Sequence, residues 1–259
     1  MPFTLAHPAA VLPLRGIRYL RTAPLVIGAL IPDLPYYVPG ALGRLLPETH
    51  TFVGSLTVDL VLGLAALGAL FALRAPLTAL LAPRARGLCL GALAPFRTHP
   101  LEWLVAPLAI VLGVWTHLLW DSFTHTDGWM VHRVAALSAP VRIGAYQANV
   151  CHVLQYLSSV FGLVVLAVWY LRLPAPLRAR AAREQTCSSS GPVLLLAAAA
   201  AILIGGVQAT AYFGRTANVY RTLDVFLTHG LAWFLLLYLV AGIIASLQAV
   251  DEPTSGLGA

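Results

Sequence analysis

Residues 193–213 and 225–247 contain no Asp, Glu, Lys or Arg. A helix rises about 1.5 Å per residue, so either run is long enough for the ~30 Å hydrocarbon core of a bilayer. This limits the fold more than any other feature. In hydrocarbon every backbone polar group must be satisfied internally, which leaves helices or closed barrels. The runs are continuously apolar rather than alternating, so they are helices. Three more segments are long enough to span: 52–73 (interrupted by Asp59), 103–120 and 153–171. The 259-residue chain is 59% hydrophobic and 10% charged, against about 25% charged in globular domains. The expected fold is an all-α, polytopic membrane helical bundle with about five transmembrane helices. Two shorter apolar stretches near 23–32 and 75–82 are bounded by prolines and are expected as re-entrant or interfacial helices.

All sixteen basic residues are arginine, which fits the coding bias of a GC-rich bacterium. No basic cluster is interleaved with aromatics, so nucleic acid is not an expected partner, whereas membrane lipid is. Arginines concentrate in residues 74–102 (Arg74, Arg84, Arg86, Arg97) and 172–192 (Arg172, Arg178, Arg180, Arg183). Placing both in the cytoplasm leaves 121–152, 214–224 and the first 50 residues outside, although the last carry Arg15, Arg18, Arg21 and Arg44. The expected location is the bacterial inner (cytoplasmic) membrane, multi-pass. The first apolar run, LVIGALIPDLP, is broken by Pro32, Asp33 and Pro35, unlike an ordinary signal peptide. Cys89, Cys151 and Cys187 are far apart and suggest neither a disulfide framework nor a thiolate metal site. The stretch RARAAREQTCSSSGP reads as a linker. The expected organisation is a motif-bearing membrane domain at 1–173, a cytoplasmic linker at 174–192 and a two-helix tail at 193–259.

The polar residues at the edges of the spans point to function. Residues 115–125 read WTHLLWDSFTH, with His117, Asp121 and His125 at i, i+4 and i+8. His117 and Asp121 lie about 40° apart on one helical face, close enough to share a ligand. On a continuous helix His125 would be about 12 Å from His117 along the axis. It therefore curls back where the helix breaks near 124–128, or it serves a second ion. His and Asp suit zinc or a similar divalent ion, but a helix-capping Asp–His hydrogen bond has the same pattern. His7 (in PFTLAHPAAVLPL), Asp33 (in IPDLPYY) and His50 (in ETHTFVGSL) fall on the same expected membrane face. Six candidate metal ligands thus gather there: His7, Asp33, His50, His117, Asp121 and His125. Asp59 is expected to face the bundle interior and pair with an arginine or histidine. His229 is expected to be a satisfied buried histidine. Gln155, Ser158 and Ser159 can hydrogen-bond between helices, and His152 is near enough to the outer edge to reach the site.

The motifs PFTLAHPAAVLPL, IPDLPYY, THTFVGSLTVDL, THLLWDSFTHTDGW and LQYLSSVFGL together resemble a bacterial integral-membrane family, one built on a domain of unknown function, over about residues 2–170. More distantly, the order of ligand-type residues resembles membrane-bound metal-dependent hydrolases, zinc-dependent phospholipase C and the S1/P1 nucleases. There a helical bundle holds a zinc cluster through an early His, an Asp, a His, a helical His-x3-Asp and a further His. The matching positions are His7, Asp33, His50, His117, Asp121 and His125. The chain departs from the phospholipase pattern in opening Met-Pro-Phe in place of a tryptophan ligand. It also carries His152-x3-Tyr156 where that class has His-x3-Glu. The resemblance therefore implies one or two divalent ions, zinc above others, rather than three. Asp33 and Asp121 would bridge ions or orient water as the catalytic carboxylates.

Two functional readings stand on the sequence. One is a metal-dependent hydrolase acting on a phosphoester, with a lipid headgroup the substrate suited to an interfacial site. The other is a non-catalytic membrane protein, transporter-like or an assembly factor, whose polar residues pack helices. A transporter path would place polar residues through the full membrane depth, and here they cluster at one face. No Ser nucleophile elbow, P-loop or dinucleotide fingerprint is present.

Overall fold

The computed structural model describes residues 4–17, 19–37, 48–144, 146–173, 190–217 and 219–251. The 174–189 part of the expected linker, including Cys187, lies outside them, as does Arg44. The described helices are α1 (Pro8–Val11), α2 (Thr22–Leu30), α3 (Leu34–Tyr37), α4 (Phe52–Leu56), α5 (Val58–Ala72), α6 (Arg74–Ala79), α7 (Pro83–Thr98), α8 (Leu101–Thr124), α9 (Trp129–Arg133), α10 (Ala135–Ser138), α11 (Val150–Leu171), α12 (Ser190–Thr216) and α13 (Val219–Asp251). Strands β1 (Pro140–Ile143) and β2 (Tyr146–Asn149) form an antiparallel hairpin in which Pro140 faces Asn149 and Ile143 faces Tyr146.

The chain is an all-α polytopic bundle. Leu101–Thr124, Val150–Leu171, Gly191–Thr216 and Val225–Gln248 are long and apolar enough to cross a membrane. The apolar run at 52–73 is broken at Thr57, whose backbone leaves helical geometry at φ −120°, ψ −87°. Its longer part, α5, has 15 residues. The proline-bounded stretches form α2 and α6.

The chain divides into two compact units. The first comprises Met1–Leu34, Leu46–Gly68 and Ala94–Leu173. The second comprises Pro35–Leu45, Ala69–Leu93 and Pro174–Ala259. In the second, α12 pairs with α13, and α13 packs on α6. His229 Nδ1 lies 2.7 Å from Gln208 Oε1, so this histidine is satisfied across the helix pair. Tyr238 donates to the Leu77 carbonyl at 2.7 Å.

In the first unit, α2 lies along α8 in the same direction. Gly28 and Gly113 allow this, since a Cβ on Gly28 would fall 2.1 Å from the Ile110 carbonyl oxygen and one on Gly113 2.3 Å from that of Leu25. Small residues that let backbones touch are the usual device for packing helices in lipid. Leu25, Ala29 and Ala109 are buried in the resulting core with Val11 and Leu20. At the start of both helices the Arg21 guanidinium grips Glu102 through Nε (2.7 Å to Oε2) and Nη2. Arg15 sits over the Trp169 ring at 5.2 Å, near the end of α11.

The N-terminal segment therefore does not stay at one face. It runs from Ala6, beside Gly162 of α11, to Arg21 at the Leu101 end of α8, then returns through α2 to Asp33. Sequence reasoning placed the first 50 residues on one side. The packing instead puts Arg21 at the Leu101 end of α8 and Arg15 beside Trp169, near the Leu171 end of α11.

Candidate metal centre

Five short pieces of the first unit deliver the centre. His7 is the residue before α1, where Pro8 starts the helix. Asp33 ends a 3-10 turn, Ile31–Asp33, that follows α2. His50 immediately precedes the cap of α4, where the Thr51 side chain accepts from Gly54 N at 2.9 Å. His117 and Asp121 lie in the last two turns of α8. His125 is the C-cap of α8 and turns extended, φ −112° and ψ 144°. Its side chain comes back toward the helix instead of continuing along it.

The carboxylate of Asp121 is the hub. Its Oδ2 lies 3.2 Å from His117 Nε2 and 3.8 Å from His50 Nε2. Asp33 Oδ1 lies 3.3 Å from His50 Nε2 and 3.7 Å from His117 Nε2. One donor atom from each of Asp33, His50, His117 and Asp121 falls within 4.8 Å of all the others. A tetrahedral zinc ion with ligands at 2.0–2.1 Å places them about 3.3–3.4 Å apart, and the four measured edges bracket that value. The other oxygen, Asp121 Oδ1, faces a second pair: His7 Nε2 at 3.6 Å and His125 Nδ1 at 3.5 Å. The six candidate residues are thus drawn together, in two groups joined by one carboxylate.

Hydrogen bonds outside the cluster hold two of the rings in the orientation a cation needs. His117 Nδ1 lies 2.9 Å from the Ala29 carbonyl, so Nδ1 carries the proton and the Nε2 lone pair faces the cluster. Thr49 donates its hydroxyl to the Pro32 carbonyl at 2.8 Å. At 3.2 Å from His50 Nδ1, the Thr49 oxygen is then left to accept, which suits the His50 tautomer that turns its Nε2 lone pair to the cluster. Carbonyl and hydroxyl partners on the distal nitrogen are what metal-ligating histidines use. Thr4 donates to Asp33 Oδ2 at 2.5 Å and leaves Oδ1 for the cluster. Gln155 Nε2, from α11, approaches His125 Nε2 at 3.4 Å.

Without a cation the cluster is under-satisfied. His7 Nδ1 and Nε2, His117 Nε2 and Asp121 Oδ1 are buried and have no hydrogen-bond partner. Buried polar atoms are normally paired, so an unpaired His117 Nε2 in the tetrad, with unpaired His7 Nε2 and Asp121 Oδ1 facing each other beside it, fits a divalent ion with nitrogen and oxygen preference. Burial, and next the adjacent His117, push the His7 pKa down to about 4, against the pull of Asp121 and Asp33. Burial pushes the Asp33 carboxyl up, but His50, His117, the Thr4 hydroxyl and His7 outweigh it and bring Asp33 to about 2. Both are therefore in metal-binding form at neutral pH. The side chains of His50 and His125 are 33% and 29% exposed, while those of His7, Asp33, His117 and Asp121 do not exceed 10%. The centre opens between His50 and His125.

Asp59 faces the interior as expected and is fully buried, but neither carboxylate oxygen has a hydrogen-bond partner. Among the described residues the expected pairing with an arginine or histidine is not made. Sequence reasoning missed Thr4, Thr49 and the Ala29 carbonyl as supports. Thr49 directly precedes His50, and that adjacency was the available signal. Ser158 accepts from Trp120 Nε1 at 3.0 Å, tying α11 to α8 beside the centre.

Fold and cluster together define a polytopic helical membrane protein with a buried Asp/His centre able to hold a metal ion. The chain belongs to the family described as domain of unknown function DUF4184, whose model matches residues 1–247. No curated protein and no solved structure matches it.

Proposed function

We propose that the protein is a membrane-embedded, metal-dependent hydrolase of phosphoesters, working at headgroup level in the bacterial cytoplasmic membrane, with a lipid phosphoester as substrate. The observation that carries this is the division of Asp121 between two donor groups. The tetrad is complete with four protein ligands. The Asp121 Oδ1, His7 and His125 group supplies three and leaves a position open, as catalytic sites do. Zinc or a similar ion held there supplies Lewis-acid polarisation and an acidified water near neutral pH. Asp121 orients both donor groups through its two oxygens. Asp33, held at Oδ2 by the Thr4 hydroxyl, stays ionised and would keep Oδ1 turned to the tetrad as one of its four donors. Gln155 steadies His125 at the mouth, and the exposed edges of His50 and His125 admit an anionic ester. The centre is at the Thr124 end of α8, within about two turns of that span's end, the depth of a headgroup. Arg15 and Arg21 at the opposite end favour that end as cytoplasmic.

The test is turnover of bis(4-nitrophenyl) phosphate, and of phospholipids in mixed micelles, by untagged protein loaded with zinc or manganese. Hydrolysis lost on chelation and in Asp121→Ala supports the proposal. A metal-loaded protein that hydrolyses neither supports a second reading. A four-ligand tetrad is also the closed arrangement of structural zinc, and on that reading the ion fastens the N-terminal segment to α8 in a non-catalytic protein.

A further inference from the structure

Asp59 and Gly63 lie four residues apart on α5, and Ser55 lies on α4 across the break at Thr57. Ser55 Oγ accepts from Trp115 Nε1 at 3.0 Å, and a Cβ on Gly63 would fall 2.6 Å from Ile110 Cγ2. Asp59 lies in sequence between these two contacts with α8, of which the Trp115 one is two residues from His117. It is fully buried and both oxygens lack a hydrogen-bond partner. The titratable side chains whose charge reaches it are His50 and His117, the two histidines of the tetrad.

A buried carboxylate with no donor is expensive, and an apolar side chain of similar size would serve packing better. What relieves the cost is positive charge on the His50–His117 side. The tetrahedron is complete without a fifth donor. Asp59 therefore acts at a distance, where a low dielectric lets charge carry. A second ion sharing Asp121 would double the positive charge and make a third carboxylate more valuable still. We infer that Asp59 is the built-in counter-charge that sets the cation affinity of the Asp33–His50–His117–Asp121 centre. This rests on the reading of that centre as a metal site.

The experiment titrates zinc against a competing chromogenic chelator, using the full-length solubilised chain as wild type, Asp59→Asn and, as a ligand control, Asp33→Asn. Melting temperatures are read on the metal-free proteins. The inference expects Asp59→Asn to weaken zinc binding by about 10–100-fold, the range for partners outside the ligand shell. The metal-free variant should be at least as stable as wild type. A merely structural Asp59 gives the reverse pattern, a lower melting temperature with unchanged affinity per folded chain, and overturns the inference while the metal centre stands. Wild type that takes no zinc overturns both. Should Asp59→Asn not fold, Asp59→Ser, smaller and uncharged, is read against the same two outcomes.

Discussion

The rings of His7 and His117 stack with centroids 3.8 Å apart and planes 17° from parallel. One comes from the N-terminal segment and the other from the far end of α8. His7 has its folded pKa lowered from 6.5 to about 4. Its contribution to stability is complete above pH 6.5 and is lost as pH falls toward 4, because the unfolded chain binds the proton first. Asp33, lowered from 3.8 to about 2, adds a contribution present above pH 3.8 and lost as pH falls toward 2. Metal-free protein should therefore lose stability on acidification in two steps. The upper step is at most about 1.4 kcal/mol per pH unit from His7 alone. Thermal melts across about pH 2–7 check this, and His7→Phe, which keeps a ring for stacking, should remove the upper step.

Thr49 fixes the His50 ring through a hydroxyl already committed to Pro32. Thr49→Val keeps shape and removes both contacts. We expect zinc affinity to fall by about 10–100-fold and stability by only about 1 kcal/mol. Thr49→Ser should restore both. Competition titration and thermal unfolding of the three proteins separate the effects.

Gly28→Ala should cost more stability than its one added methyl suggests. The new Cβ meets the Ile110 carbonyl, which is backbone and cannot turn aside. Overpacking of this kind costs about 1–3 kcal/mol, and because α2 leads directly to Asp33, metal binding should weaken with it. Gly16→Ala is the control, since nothing lies within 4 Å of its added carbon.

Much of this was legible in the sequence because membrane helices announce themselves by length and hydropathy. The proline-bounded α2 and α6 were legible for a similar reason. So was the approach of the 1–50 segment to residues 117–125, read from expensive polar residues at one membrane face. The break at Thr57 was not, because both sides of it are equally apolar and the contacts that hold it, Ser55 to Trp115 among them, are long-range. The hairpin at Pro140–Asn149 escaped because its strands are four residues each and carry too little alternation to register. The course of the N-terminal segment was hidden too. Nothing near Arg21 in sequence points to Glu102, eighty-one positions on. Nor does spacing tell which oxygen of Asp121 a histidine will face.

The central claim is that the Asp33–His50–His117–Asp121 cluster binds a metal ion. Elemental mass spectrometry of detergent-solubilised protein without a histidine tag measures it directly, with His117→Ala and Asp121→Ala alongside. The account predicts one or two equivalents of a divalent ion per wild-type chain, zinc above others, lost in both variants. Well-folded wild type with no bound ion after incubation with zinc, manganese and iron would contradict it.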